Sequence, residues 1–75
     1  MKELLETIAK SLVSKPEEVS VNEIVDGDNI VLELSVAQED MGKVIGRQGR
    51  IAKAIRAVMK AASLKENKKV SVEIL

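Results

Sequence analysis

The chain has 75 residues, 45% of them apolar but none of them Phe, Tyr or Trp, which limits it to one small domain with an aliphatic core. It contains no cysteine and no histidine, which excludes disulfides, thiolate or imidazole metal sites and triads with a histidine base. The net charge is zero, yet residues 1–40 carry ten acids against three bases and residues 41–75 carry nine bases against two acids. The halves are therefore −7 and +7, and this asymmetry predicts one side of the protein that faces an anion.

The N-terminal half is predicted to form a helix and a β-hairpin. Apolar residues recur at helical spacing through residues 2–14, and Pro16 ends that helix. The segment 19–25 is rich in β-branched residues and the segment 30–36 alternates apolar and polar side chains, so both are predicted strands. Between them, the sequence DGDN has the turn chemistry that joins two antiparallel strands.

The C-terminal half is predicted to form two helices and a last strand. Residues 38–45 form a short helix with acids in its first turn, GRQG at 46–49 interrupts it, and residues 50–64 form a long helix. The alternating segment 70–75 is a third strand. The order α-β-β-α-α-β predicts an α+β fold. We expect neither a membrane span nor a secretory signal, because charged residues interrupt every apolar stretch, including the N-terminal one.

The long helix has three predicted faces, since successive residues turn by about 100°. One apolar face should pack on the core and consists of Ile51, Ile55, Val58, Met59 and Ala62. The side opposite carries bases without any acid, namely Arg50, Lys53, Arg56 and Lys60. A narrower stripe of Ala54, Ala57 and Ala61 reflects helix propensity or a flat contact for another helix.

The segment GKVIGRQGRIAKAIR, residues 42–56, contains three glycines and five bases. Gly46 and Gly49 have a purely structural interpretation, in which they end one helix and begin the next. That interpretation leaves the surrounding charge unexplained. The alternative is an anion site, where glycine lets the backbone approach a ligand closely and free N–H groups at the next helix face negative charge. A phosphodiester chain fits a row of bases better than a single carboxylate does.

Other nucleotide and nucleic-acid motifs fit this segment less well. It lacks the Lys-Ser/Thr pair of a P-loop, and its glycine spacing is not that of the dinucleotide fingerprint. A helix-turn-helix DNA reader across residues 39–59 remains an alternative, although the flanking strands are unusual for that class. A module that binds only protein is a further alternative. We expect no enzyme, because no histidine, cysteine or metal cluster supports a carboxylate pair.

The sequence VIGRQGRIAKAI, residues 44–55, resembles the KH-domain signature: an apolar pair, G-x-x-G, and an apolar residue two positions later. The element order resembles the bacterial type II KH arrangement. The whole chain resembles the small bacterial single-KH RNA-binding proteins of the KhpA family, through EDMGKVIG-x-QGRIAKAIR at Glu39–Arg56 and VSVEI at Val70–Ile74. One departure is Gln38, where relatives often carry proline, and it concerns the helix start and not the loop.

The resemblance implies a fold and a set of site residues. The fold would be a type II KH domain, a three-stranded mixed sheet with three helices packed on one face, over residues 1–75 with a minimal motif at about 30–75. In the KH family, the G-x-x-G loop clamps the backbone of about four nucleotides. The RNA-binding residues here would be Lys43, Gly46, Arg47, Gln48, Gly49, Arg50 and Lys53, with no catalytic residue, metal or other cofactor.

The resemblance also implies partners and a cellular role. Single-stranded RNA would be the ligand, and the protein would act as a homodimer or with a larger KH-containing protein of the KhpB type. A candidate dimer contact is the stripe Ala54, Ala57, Ala61 and Leu64. The family is cytoplasmic and is linked to RNA chaperoning, post-transcriptional control, cell elongation and cell-wall homeostasis.

Overall fold

The structure is a computed structural model that describes residues 1–75. Six main elements follow one another in the predicted order, with single 3₁₀ turns at Pro16–Glu18, Gln38–Asp40 and Arg47–Gly49. The elements are α1 (Lys2–Leu12), β1 (Ser20–Asp26), β2 (Asn29–Ser35), α2 (Met41–Ile45), α3 (Arg50–Lys65) and β3 (Lys69–Ile74). None of the three helices combines the length and apolarity that a bilayer crossing requires.

The three strands form one mixed sheet in the order β1-β2-β3. β1 and β2 are antiparallel, and their register pairs Asp26 with Asn29, so only Gly27 and Asp28 form the hairpin loop. Gly27 has a φ of +61°, which suits the tight turns that connect such strands. β2 and β3 are parallel, and α2 and α3 supply the long crossover that parallel pairing requires. The predicted mixed sheet is confirmed.

The core lies between the sheet and the three helices. Alternate residues of β2 face it, which is why Ile30, Leu32 and Leu34 are buried while the other residues of the strand are half-buried or exposed. The helices and the outer strands cover these positions with Leu5, Ala9, Val21, Val44, Ile55, Met59 and Val72. With no aromatic residue, the core depends on close packing of branched aliphatic side chains and one methionine.

Two details differ from the sequence prediction. The first helix ends at Leu12, two residues early, because the backbone and hydroxyl of Ser14 bind the carboxylate of Asp40 and do not continue the helix. On α3, the predicted core position Val58 has a side chain that is 47% exposed. The buried positions are Ala52, Ile55, Met59 and Ser63, so the core face is rotated away from Val58.

Candidate nucleic-acid interface

The turn between α2 and α3 begins at a position that only glycine can occupy. Gly46 has φ 76° and ψ 175°, a backbone region essentially restricted to glycine. A Cβ at Gly46 would lie 2.6 Å from Cγ1 and 2.9 Å from the backbone N of Ile51. Position 46 therefore requires glycine for two reasons. Other residues rarely adopt this backbone conformation, and a Cβ would collide with Ile51 in the first turn of α3.

The rest of the turn presents its first backbone N–H groups at the surface. Gln48 (φ 57°, ψ 26°) and Gly49 (φ 73°, ψ 15°) are both left-handed, and a Cβ at Gly49 would meet open space. The N–H groups of Gly46 and Gly49 donate to Gly42 and Gly46, respectively. The N–H groups of Arg47 and Gln48 precede Gly49, and the first N–H groups of a helical turn have no partner within that turn; both residues are exposed. Successive N–H groups exposed in such a turn form a concavity suited to an anion.

Three of the predicted bases surround this turn without a counter-charge. Arg47, Arg50 and Lys53 are exposed, and no acid lies within ion-pair distance of them. The fourth base, Lys43, is one turn earlier on α2, and its Nζ lies 3.3 Å from Oδ1 of Asp40. The charge of Lys43 is therefore partly neutralised by Asp40, whereas the charges of Arg47, Arg50 and Lys53 are available to a ligand.

Asp40 is a structural residue that the sequence did not reveal. Its side chain is fully buried, and it accepts hydrogen bonds from the Ser14 hydroxyl (2.7 Å), the Ser14 N–H (3.1 Å) and the Lys15 N–H (3.1 Å). The Ser14 hydroxyl, opposed by burial and aided by these N–H groups and Lys43, lowers the pKa of Asp40 from 3.8 to about 2. The ionised carboxylate thus ties the end of α1 to the start of α2, the helix that leads into the turn.

An apolar trough runs between α1 and α3 on another side of the domain. Two adjoining cavities of about 510 and 410 Å³ form it, and they share Leu4 and Val58. Ile8 and Leu12 extend its α1 wall, and the α3 wall includes Ile51, Ala54, Ala61 and Ala62. Of the candidate dimer residues, Ala54 and Ala61 line this trough and Ala57 is exposed beside them. Leu64, 70% exposed, lines a different cleft near β3.

Known sequences resemble this chain over its full length. The model of the KhpA/KhpB KH-domain family matches residues 2–74. Two relatives named RNA-binding protein KhpA, from Clostridium perfringens and Clostridium acetobutylicum, are 71% and 69% identical over 75 residues, which is all of both chains in each comparison. The protein of the same name from Halalkalibacterium halodurans is 51% identical and is covered over 99% of its length.

Solved structures share the fold. A variant of Aquifex aeolicus Era bound to GDP and aluminium fluoride superposes with a TM-score of 0.63 at 25% identity. Era in complex with MgGDPNP and nucleotides 1506–1542 of 16S ribosomal RNA gives 0.60 at 18% identity. Both comparisons cover 97% of this chain but only 28% of Era, so the likeness concerns one part of that larger protein. The predicted KH fold is confirmed, and the chain belongs to the KhpA/KhpB KH-domain family.

Proposed function

We propose that this protein binds single-stranded RNA and holds the RNA backbone at the GRQG turn. The observation that carries the proposal is the exposed start of the turn at Arg47 and Gln48, where backbone N–H groups are surrounded by bases without counter-charges. Relatives that match the whole chain are named as RNA-binding proteins, which supports the same ligand.

The proposed mechanism places one phosphate against the turn. The two N–H groups donate to its oxygens, and the absence of a Cβ at Gly49 leaves the approach open. Arg47, Arg50 and Lys53 then neutralise this phosphate and its neighbours. Each neutralised phosphate of a single strand contributes about −0.7 to the slope of log K against log salt. Three contacts therefore predict a slope near −2.

The bases of the RNA must be recognised without stacking on aromatic rings, because the chain has none. Any stacking must therefore use arginine planes, and the base edges are recognised by hydrogen bonds and apolar contacts in a groove beside the loop. We therefore expect few nucleotides per domain and modest affinity for a single copy. Linking two modules raises overall affinity without any new contact to the ligand, which is the physical reason to propose a dimer or a KhpB-type partner.

The apolar trough supports the dimer proposal. Leu4, Leu12 and Val58 are 38%, 37% and 47% exposed, and together they form a continuous apolar surface beside the small residues of α3. Small side chains let a second helix approach closely, and burial of the trough would remove this surface from water. The proposed contact is centred on Ala54, Ala57 and Ala61. The trough does not support Leu64, the fourth candidate residue, because that side chain lines the separate cleft near β3.

The physiological proposals rest on family resemblance. We propose that the protein acts as an RNA chaperone or post-transcriptional regulator, in processes that include cell elongation and cell-wall homeostasis. A weak, salt-dependent clamp on the RNA backbone suits such a role, because it can act on many transcripts and release them.

Binding isotherms of the wild-type protein test the proposed ligand. Fluorescence anisotropy with labelled single-stranded RNA and with duplex DNA of equal length, each over a series of salt concentrations, separates the alternatives. We expect tighter binding to the RNA and a salt slope near −2 for three contacts. Tighter binding to duplex DNA would favour the helix-turn-helix alternative, binding to neither would favour a protein-interaction module, and a salt-independent isotherm would contradict a phosphate clamp.

A further inference from the structure

A second concentration of positive charge lies at the far end of α3. There the last turns of the helix and the beginning of β3 enclose an open cleft of about 490 Å³. No carboxylate lines this basic cleft, which is formed by Lys60, Ser63, Leu64, Lys68, Lys69 and Val70. The sequence prediction did not assign Lys60, Lys68 or Lys69 to any site.

The turn after α3 brings these lysines together. Asn67 adopts a left-handed conformation (φ 55°), as residues just beyond a helix often do. The N–H of Lys68 then donates back to the Ser63 carbonyl at 3.1 Å, and the buried Ser63 hydroxyl donates to the Lys60 carbonyl at 2.6 Å. The chain therefore reverses tightly, and Lys68 and Lys69 return beside Lys60.

The lysines of the basic cleft are poorly neutralised. Lys60 and Lys69 have no ion-pair partner, and Lys68 lies 3.6 Å from Asp28, a carboxylate that is 82% exposed. An ion pair this exposed contributes little to stability. Lysine near a helix C-terminus also complements the helix dipole, but this explains none of the three, because Lys60 precedes the last turn of α3 and Lys68 and Lys69 lie beyond the helix. Three like charges that converge on one cleft favour an anion there.

A basic flank of α3 connects the GRQG turn to the cleft. At about 100° per residue, Lys53, Arg56 and Lys60 lie on the side of α3 that faces the free edge of β3. Arg56 confirms this orientation, because its Nε donates to the Val72 carbonyl at 3.2 Å. A cavity of about 230 Å³ beside Arg56 shares Lys60 and Val70 with the cleft. Lys60 lies eleven positions after Gly49, which corresponds to about 16 Å of helix.

We propose that the basic cleft is a second contact for the RNA strand held at the GRQG turn. The strand follows the basic flank of α3 and places one or more phosphates among Lys60, Lys68 and Lys69. This inference rests on the proposed RNA binding, and it makes the length of the bound strand depend on residues that are remote from the turn. A strand too short to reach the cleft does not sense these lysines.

The test compares two lengths of oligouridylate by fluorescence anisotropy. One has about four nucleotides, the length a KH loop clamps, and the other about ten. In the triple variant Lys60→Gln/Lys68→Gln/Lys69→Gln, we expect binding of the longer strand to weaken about tenfold or more. The salt slope should become less steep by about 0.7 to 2, from one to three neutralised phosphates at about 0.7 each. Binding of the shorter strand stays unchanged. The matched control, Lys2→Gln/Lys10→Gln/Lys65→Gln, makes the same change in net charge outside the cleft.

The outcomes separate this inference from the proposed function. An equal loss on both lengths, an equal loss in the control variant, or no loss at all would overturn the basic cleft as a second contact. The double variant Arg47→Asp/Gln48→Asp is measured alongside and should lose binding of both lengths. If the double variant binds both lengths normally, the proposed clamp at the GRQG turn is wrong, and the second contact that rests on it is wrong too. If it loses binding while the cleft variant keeps it, only the second contact is wrong.

Discussion

Replacing Gly46 by alanine should destabilise the protein more than the same replacement at its other left-handed glycines. At φ 76° and ψ 175°, a side chain costs about 1–3 kcal/mol in backbone strain. The new Cβ would also lie 2.6 Å from Ile51 Cγ1 and 2.9 Å from Ile51 N, and the second atom is backbone in the first turn of α3. Its displacement adds about 1–3 kcal/mol, the usual cost of overpacking.

The expected net effect follows from these two costs. Alanine restricts the unfolded chain and returns about 0.4–1 kcal/mol, so Gly46→Ala should lower the free energy of unfolding by about 1–5.5 kcal/mol, or about 3 kcal/mol at the middle of these ranges. Gly27 and Gly49 also have positive φ, but a Cβ at either would meet open space. There the left-handed cost is about 1–2 kcal/mol before the same offset, which leaves about 1 kcal/mol.

Thermal melting followed by circular dichroism, with urea titration as a second measurement, decides this prediction. One kcal/mol corresponds to about 4–8 °C in a domain of this size. The mid-range loss of about 3 kcal/mol therefore lowers the melting temperature of Gly46→Ala by about 12 °C or more, against about 4–8 °C for Gly27→Ala and Gly49→Ala. Gly27→Ala serves as the control for left-handed strain far from the turn. If Gly46→Ala melts together with Gly27→Ala and Gly49→Ala, the close contact with Ile51 is not a constraint and the reasoning is refuted.

The remaining predictions concern Asp40 and the apolar trough. Because the pKa of Asp40 falls from 3.8 to about 2 on folding, its ionised form stabilises the protein above pH 4, and this stabilisation is lost as the pH falls toward 2. Asp40→Asn should therefore be less stable than wild type at neutral pH and should lose less stability between pH 5 and 2; parallel curves from urea unfolding would contradict this role. Ala61→Glu should weaken self-association about 100-fold or more, since it buries a charge in the proposed dimer contact. Analytical ultracentrifugation measures that change, with Gln38→Glu as an exposed control, and an unchanged dissociation constant would remove the trough from the interface.

Local sequence signals predicted most of the fold. The periodicity of residues 2–14 and 50–64, the Asp-Gly turn and the alternation in 30–36 are each contained in a short segment, and the structure confirms the elements that they indicate. The importance of Gly46 and Gly49 could also be predicted from the sequence, because glycine between two helical segments indicates a backbone of positive φ. Both positions adopt such a φ in the structure.

Features that depend on distant parts of the chain were not predictable in the same way. Asp40 meets Ser14 across 26 residues, so nothing in its own segment distinguished it from a solvated acid at a helix start. Val58 lies on an apolar side of α3, but the position of α1 decides whether that side is covered or forms part of a trough. The basic cleft likewise depends on the reversal at Asn67, which brings Lys68 and Lys69 back toward α3.

The central claim is that the GRQG turn holds the RNA backbone, and ultraviolet crosslinking of Arg47→Asp/Gln48→Asp to labelled single-stranded RNA tests it most directly. Aspartate tolerates the left-handed backbone of residue 48, so the turn should keep its shape while it repels phosphate. Lys2→Asp/Gln38→Asp is the control with the same change in charge at exposed positions. We expect normal melting of both variants and loss of crosslinking only in Arg47→Asp/Gln48→Asp. Undiminished crosslinking in a folded Arg47→Asp/Gln48→Asp protein would contradict the central claim.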